Sequence, residues 1–469
     1  MDNGCYKLTW RERIGFCTGD VAQNIIYQTV SIWLLFYYTN VFGLSPKVAA
    51  VMFLVVRIVD VIWDPIVGTF IDKSNPRWGK YRSWLLLSGV PLAAFAMLCF
   101  WNGFSGSLLY AYITYIGQSI CKTLIKVPYG ALNASLTRDT DEITILTSVK
   151  MVFNNFAALL VKTLPLVIAI FAPKVLNPET GQMEAQYNTP EAGNAWFITM
   201  CIFALFGLGL LIFCFCETKE KVVMDQKSSE SVKVSDVWME LYRNRPLRIL
   251  AIFFIISFTM MSVSNAADSY FMVYNIGANT FMTTAFMWMG TIPAFIFLPL
   301  IPAIKRRVGK KGLFNISILV AILGMMLMYV FVSIPTTRSM FWLLCIAQFV
   351  KSSGLLVATG YMWALVPEVV TYGEYQTGRR IAAIVNAIMC LFLKAGLALG
   401  GVVPGFVLAW VGFNAQATQQ TMLAQQGILW LVTIVPAILF GIGLFVIRKY
   451  ELSDERMDEI IKAIELKAK

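Results

Sequence analysis

Residues 305–334 read KRRVGKKGLFNISILVAILGMMLMYVFVSI, a basic cluster followed by a long apolar run. No charged side chain occurs between Gly312 and Ser333. About 20 apolar residues are enough for a helix to cross the ~30 Å hydrocarbon core of a bilayer. The stretch therefore predicts a membrane-spanning helix that begins at a basic loop.

Runs of this kind recur along the chain, and the composition agrees with them. Of the 469 residues, 58% are hydrophobic and only 14% are charged, whereas about 25% are charged in a typical soluble protein. The prediction is an all-α, polytopic membrane protein. Twelve spans are expected, at residues 14–42, 46–71, 83–103, 107–136, 147–172, 195–216, 247–276, 281–304, 312–333, 340–367, 381–410 and 425–447.

Lysines and arginines are divided unevenly between the two sets of loops. With a cytoplasmic N-terminus, 29 of the 38 lie in or beside the inner segments, and only Lys47, Lys174 and Arg338 lie in the outer loops. Because cytoplasmic loops carry the excess of Lys and Arg, both chain ends are expected in the cytoplasm. The net charge of +11 then reflects loops that meet the anionic headgroups of the cell (inner) membrane. The lipid bilayer is the expected partner, and nothing favours a nucleic acid.

A tetrapeptide pattern repeats six spans apart. Arg77-Trp-Gly-Lys80 follows span 2, and Arg307-Val-Gly-Lys310 follows span 8, as two parallel six-helix halves would give. The expected parts are an N-terminal bundle (1–216), a cytoplasmic connector (217–246), a C-terminal bundle (247–447) and a cytoplasmic tail helix (448–469).

Span 2 carries two aspartates, Asp60 and Asp64, which share one helix face at a spacing of four residues. Two carboxylates this close repel each other unless one is protonated or a cation lies between them. The pair predicts a site for Na⁺, Li⁺ or H⁺, and a proton relay would need carboxylates because the chain has no histidine. Arg57, one turn earlier, can balance the site when the cation leaves. The alternative is a plain ion pair between Arg57 and one aspartate.

Further charges lie inside predicted spans, where each needs a partner, a cavity or a function. Asp20 on span 1 can accept hydroxyl groups of a sugar or pair with a buried lysine. Lys122 and Lys126 share one face of span 4, just before Tyr129, and Lys394 lies on span 11 beside small residues. Lys162 and Lys351 are interpreted as pairing or snorkelling residues.

Six segments in chain order resemble the glycoside-pentoside-hexuronide:cation symporters of the major facilitator superfamily. They are Asp20 in a G-D-x-A-x-N context, R-I-x-D-x-x-x-D-P at 57–65, R-W-G-K-x-R at 77–82, V-P-Y-G at 127–130, Y-G-E-x-x-T-G-x-R at 372–380, and Lys394. The resemblance implies two six-helix bundles that alternate access to a central cavity.

The resemblance also implies roles for residues. The coupling cation, Na⁺ or H⁺, would be bound by Asp60, Asp64 and Thr123, and these two aspartates would be the metal ligands if the ion is Na⁺. A second set would line the sugar site: Asp20, Lys126, Tyr129, Lys150, Trp363 and Lys394. A third set would serve gating and coupling: Arg57, Glu374, Arg379 and Arg380.

One departure from the family bears on the substrate. Melibiose permease has an aspartate on span 4 where this chain has Lys126, and an arginine near the start of span 5 where Lys150 aligns. The exchange of an acid for Lys126 replaces a hydroxyl acceptor by a cation, which favours an acidic sugar such as a hexuronide or glucuronide. Alternatively, Lys126 pairs with Asp20 and the sugar is a neutral glycoside or pentoside.

The expected function is cation-coupled sugar symport, with an uncoupled sugar facilitator as an alternative. A membrane-embedded enzyme is disfavoured because the sequence has no histidine, no D-D-x-x-D run and no phosphate-binding Gly-rich loop. We therefore expect no catalytic residues, no cofactor beyond the coupling ion, and no obligatory protein partner.

Overall fold

A computed structural model of the chain describes residues 6–74, 76–137, 140–176, 183–220, 234–334, 340–377, 382–415, 417 and 420–468. Almost all regular structure in these ranges is helical. The helices of the first part are α1 (Trp10–Asn40), α2 (Pro46–Lys73), α3 (Ser83–Leu87), α4 (Gly89–Cys99), α5 (Leu108–Leu136), α6 (Thr140–Lys162), α7 (Leu164–Phe171) and α8 (Gly193–Glu217).

The second part begins with a short surface helix and ends with a tail helix. Its helices are α9 (Val234–Arg243), α10 (Arg245–Tyr270), α11 (Thr280–Met289), α12 (Ile292–Phe297), α13 (Ile301–Ser333), α14 (Phe341–Met362), α15 (Val366–Thr377), α16 (Ala382–Trp410), α17 (Met422–Val432), α18 (Ile434–Arg448) and α19 (Asp454–Ala468). A π-helical turn, Phe271–Ile276, extends α10.

Eight helical segments within the described ranges are long and apolar enough to cross a membrane. They are 149–171, 190–217, 245–276, 280–297, 301–333, 341–376, 384–410 and 422–448. The long helices α1, α2 and α5 fall outside this set. These three carry Asp20, the Asp60–Asp64 pair and the Lys122–Lys126 pair, so the more polar helices are those to which the sequence assigns the binding site.

Several predicted spans are broken shortly before a proline. Span 3 divides at Ser88, ahead of Pro91; span 5 divides at Thr163, ahead of Pro165; and span 12 divides at Thr433, ahead of Pro436. A proline ring clashes with the carbonyl one turn earlier and lacks an N–H donor. Hydroxyls occupy two of these breaks, since Thr163 and Thr433 each donate to a carbonyl of the preceding turn at 2.6 Å.

A small antiparallel hairpin lies between α7 and α8. Strand β1 (Lys174–Leu176) pairs with β2 (Met183–Ala185), with Val175 opposite Glu184. The sequence analysis expected only an outer loop in this place.

The chain divides into two compact units. Unit 1 comprises residues 1–226, 272–284 and 408–424, and unit 2 comprises 227–271, 285–407 and 425–469. In unit 1, α1 packs against α6 and α8. An aromatic cluster fills this core, in which Trp196 stacks on Phe100 at 5.9 Å between ring centroids and meets Trp33 edge-on.

In unit 2, α13 and α14 make the most extensive helix pair. Two glycines allow their close approach: a Cβ at Gly324 would lie 2.2 Å from the Lys351 backbone nitrogen, and one at Gly354 would lie 2.2 Å from the Ser317 carbonyl oxygen. The tail helix α19 packs against α15 and buries Met457 and Ile460 in the core of this unit. The apolar residues of the tail helix therefore form a packing face.

Candidate functional site

Four oxygen-bearing side chains of α2 and α5 face each other in unit 1. The Ser119 hydroxyl donates to Asp60, and the Thr123 hydroxyl donates to Asp64 Oδ1 at 3.3 Å. Both partners are spaced by four residues on their helices, so two turns of α5 run beside two turns of α2 with matched positions. The structure thus brings together the three predicted cation ligands, and adds Ser119.

Ser119 is a member of this group that the sequence analysis missed. Its signal was present, because Ser119 and Thr123 repeat the spacing of Asp60 and Asp64. Hydroxyl residues are common in apolar helices, however, and only the pairing of α2 with α5 distinguishes this one.

Two basic side chains, Arg57 and Lys122, act on Asp60. Arg57 Nη1 lies 3.4 Å from Asp60 Oδ2, and both side chains are largely buried. Arg57 Nε has no hydrogen-bond partner among the described residues. The Lys122 ammonium lies 4.1 Å from the centroid of the Tyr27 ring, which gives it a cation–π partner. At 3.4 Å the Arg57–Asp60 pair is longer than a good charge-assisted hydrogen bond.

The group at Asp60 and Asp64 offers oxygen ligands that a small cation could bind. Within the described residues, no cluster of three or more His, Cys, Asp or Glu side chains could hold a metal ion. Two carboxylates and two hydroxyls instead offer hard oxygen ligands of low total charge.

A second polar group surrounds Asp20 on α1. Its Oδ1 lies 3.4 Å from Lys150 Nζ, and its Oδ2 accepts from the Asn24 amide at 3.1 Å. The Asp20 side chain is 13% exposed and that of Lys150 is 34% exposed. The acid that the sequence assigned to sugar hydroxyls is therefore held in place from two sides and still reaches solvent.

Lys126 differs from the other lysines of this region. Its side chain is exposed, and its charge acts on Asp20, yet the ion pair of Asp20 is made by Lys150. Over the described part of the chain, Lys126 has no ion-pair partner. The direct ion-pair partner of Asp20 is therefore Lys150 and not Lys126.

Tyr129 lies at the contact between α5 and α1. Its ring stacks on Phe16 at 4.6 Å between centroids, and its hydroxyl donates to the Phe16 carbonyl at 2.7 Å. The same ring lies 5.3 Å from Lys150 Nζ and against Gly19. In this structure Tyr129 therefore supports Lys150 and the helix contact, while its assignment to substrate remains a prediction.

The remaining predicted residues belong to unit 2 or lie outside the described ranges. Lys394 is partly buried on α16, and Trp363 is 40% exposed and packs edge-on against Phe254 at 5.0 Å. Glu374 is partly buried on α15. Arg379 and Arg380 lie outside the described residues.

Unit 2 contains a buried ionic group that the sequence analysis only half identified. Lys351 Nζ lies 3.4 Å from Asp268 Oδ1 and donates to Ser264 Oγ at 2.9 Å, while the Gln348 amide donates to Asp268 Oδ2 at 2.9 Å. The Lys351 and Asp268 side chains are 4% and 5% exposed. The interpretation of Lys351 as a pairing residue is thus confirmed, and Asp268 is its partner.

Comparison with known proteins decides the family. The family model described as MFS/sugar transport protein matches residues 15–454. The chain belongs to this family. The symporter YnaJ of Bacillus subtilis, named as uncharacterized, is 41% identical over 98% of this chain and 95% of its own length. The glucuronide carrier protein homolog of Escherichia coli is 30% identical over 99% of this chain and 97% of its own length.

A solved structure supports the major facilitator fold. The crystal structure of a D-xylose–proton symporter superposes with a TM-score of 0.64 at 16% identity, and the match covers 95% of this chain and 98% of that one. The likeness to this structure shows the fold. The family model and the relatives show a multi-pass integral membrane transporter of the glycoside–cation symporter type, a protein of the cell (inner) membrane and not an enzyme. The count of twelve spans and the cytoplasmic position of the termini remain predictions.

Proposed function

We propose that this symporter moves an acidic glycoside, a hexuronide or glucuronide, together with Na⁺ by alternating access. One observation carries the choice of an acidic sugar. Asp20 is neutralised by Lys150, while Lys126 is exposed beside them and has no ion-pair partner over the described residues.

The charge balance of this region supports the proposal. Among the described side chains of the two polar groups, three are acids and four are bases: Asp20, Asp60 and Asp64 against Arg57, Lys122, Lys126 and Lys150. A bound Na⁺ raises the positive excess further, and an anionic substrate lowers it. Because a buried carboxylate without a counter-charge is prohibitively costly, Lys126 gives the sugar carboxylate its partner, and Asp20 with Asn24 is left to accept and donate to the sugar hydroxyls.

Na⁺ is the proposed coupling ion because of the two hydroxyls. A proton needs one carboxylate, whereas Na⁺ needs several oxygen ligands at once, and Ser119 and Thr123 supply neutral ones beside Asp60 and Asp64. Arg57 then replaces the ion at Asp60 when the site empties. Proton coupling through the same two carboxylates is the competing outcome.

The relative named as a glucuronide carrier homolog agrees with an acidic substrate. Two alternatives are retained as outcomes of the test: a neutral glycoside or pentoside as substrate, and uncoupled facilitated diffusion.

The test is counterflow into proteoliposomes that contain the purified protein. A phenyl β-glucuronide is compared with the matching phenyl β-glucoside, with Na⁺ and in Na⁺-free buffer at two pH values. We expect the glucuronide to be exchanged faster, with stimulation by Na⁺. Lys126→Gln should weaken binding of the glucuronide by roughly tenfold to a hundredfold, since one charge-assisted hydrogen bond contributes about 1.5–3 kcal/mol. It should weaken binding of the glucoside by less than about threefold.

Lys47→Gln serves as the matched control, because it removes an exposed lysine from the first turn of α2. Equal transport of glucuronide and glucoside, or equal damage to both by Lys126→Gln, would contradict the acidic substrate. If acid pH stimulates transport and Na⁺ does not, the coupling ion is H⁺ and the assignment of the substrate is unaffected.

A further inference from the structure

The two R-x-G-K sequences share a backbone feature at their glycine. In both, the glycine has a positive φ, 118° at Gly79 and 72° at Gly309. A helical segment follows in each case, at Ser83 in α3 and at Lys310, where α13 resumes after its non-helical glycine. Residues 80–82 lie between Gly79 and α3, whereas residues 310–312 begin the resumed part of α13, where the first backbone N–H groups of a helical segment lack a carbonyl partner within that segment.

In the N-terminal half, these N–H groups bind a carboxylate. Glu220 accepts hydrogen bonds from the backbone nitrogens of Lys80, Tyr81 and Arg82 at 3.1, 2.7 and 2.9 Å. Glu220 follows the last residue of α8, Glu217, by three positions. The backbone after R-x-G-K is thus an anion-binding nest, and the chain fills it with its own carboxylate.

In the C-terminal half, the corresponding carboxylate is used elsewhere. Glu451 follows the last residue of α18, Arg448, by three positions and is the repeat equivalent of Glu220. Its carboxylate instead pairs with Arg245 Nη1 at 2.8 Å.

A cavity of about 320 Å³ lies at the second nest, wholly within unit 2. Its wall includes the segment Gly309–Gly312, which matches the residues that hold Glu220 in the first half, and also Arg448, Ser453 and Glu455. The first half therefore shows what this backbone binds, and the second half has space for such a ligand from outside the chain.

The charges of the cavity favour an anion. Lys311 and Arg448 line it with exposed side chains, and Arg448 Nε donates to Asn315 Oδ1 at 3.1 Å, which orients the guanidinium. Lys310 is also in the wall but is paired with Glu368 at 2.7 Å. Glu455 is the acidic side chain among the lining residues. Neither Lys311 nor Arg448 has an ion-pair partner among the described residues, so these two bases and the nest outweigh it.

We propose that this cavity is a phosphate-binding site. Backbone N–H groups, a guanidinium and an ammonium are the donors that proteins combine for phosphate, since they can serve several of its oxygens together. The cavity lies at the basic loop that the Lys and Arg distribution assigns to the cytoplasm, so the phosphate is that of an anionic phospholipid headgroup or a soluble phosphate.

The experiment measures binding to the purified, delipidated full chain in detergent. Dioctanoyl phosphatidylglycerol and inorganic phosphate are titrated separately, with the shift in melting temperature as the readout. We expect at least one of them to stabilise the protein in a saturable way, and Lys311→Gln/Arg448→Gln to weaken that binding at least tenfold.

The matched control is Arg307→Gln/Lys449→Gln, which removes the same charge from neighbouring residues that do not line the cavity. The affinity of this control variant for the bound probe should stay within about twofold of that of the unsubstituted protein. Saturable binding of phosphatidylglycerol alone identifies the lipid as the source, and binding of inorganic phosphate identifies the soluble anion. No saturable binding of either probe, or equal loss in both double variants, would overturn the proposal.

Discussion

Asp60 and Asp268 are aspartates on apolar helices of different units, and their surroundings differ. Asp60 is held by a hydroxyl and by an arginine at 3.4 Å, with its side chain 11% exposed. Asp268 is enclosed by a lysine and an amide, with its side chain 5% exposed and that of Lys351 4% exposed.

We interpret the difference as that between the proposed site for an exchangeable ion, at Asp60, and a structural ion pair, at Asp268. Each aspartate lies 3.4 Å from a basic side chain, so distance does not separate them. The other contact of Asp60 is the Ser119 hydroxyl, which can itself be a ligand for a cation, whereas that of Asp268 is the Gln348 amide. The Lys351–Asp268 pair is also the more deeply buried of the two. Burial of an acid inside a span is therefore not enough to assign function, and the identity of the partner decides it.

The largest expected effect is on stability in unit 2. Asp268→Asn leaves the buried Lys351 ammonium without its counter-charge, and breaking a buried pair in this way costs about 3–5 kcal/mol. We expect a large drop in the melting temperature of the purified protein.

A second substitution shows whether charge is the cause. Asp268→Asn/Lys351→Met removes both charges and should recover more than half of the lost stability, because the uncompensated ammonium is gone. An unchanged melting temperature for Asp268→Asn, together with lost cation coupling, would place Asp268 in the transport site and remove the contrast with Asp60.

A smaller effect is expected at Ser119. Ser119→Ala removes one hydroxyl from Asp60, a change of about 1 kcal/mol, so half-maximal uptake should need a cation concentration about fivefold higher. Ser135→Ala is the matched control, since Ser135 is buried on the same helix and, over the residues that the structure describes, bonds only to the Ala131 carbonyl. An equal response to the two substitutions would show that Ser119 is a packing residue.

Much of the fold could be predicted from the sequence, because apolar runs and basic loops act over whole segments. The breaks at Thr163 and Thr433 were not predicted, although Pro165 and Pro436 signal them. Pro128 lies inside the unbroken helix α5, so a proline alone does not decide between a break and a continuous helix. The strands at Lys174–Leu176 and Met183–Ala185 are too short and too polar to give a periodic signal.

The site was predictable where one helix carries the whole pattern. Asp60 and Asp64 share a helix face, and their spacing alone indicated a cation site. Ser119 and the Asp268–Lys351 pair were not found in this way, because their partners are 59 and 83 residues away in the chain and meet only through helix packing. A pattern of charges on one helix can be inferred from the sequence. The residue on another helix that neutralises such a charge can be identified only from the folded structure.

The most direct test of the account compares concentrative uptake and exchange for Asp60→Asn in the same proteoliposomes. If Asp60 binds the coupling ion, cation-driven accumulation of the substrate should fall to below about a tenth of the unsubstituted level, because the ion site is lost. Substrate counterflow should keep at least about half of its rate, because the sugar contacts at Asp20 and Lys126 remain. Full concentrative uptake by Asp60→Asn would contradict the assignment of the cation site.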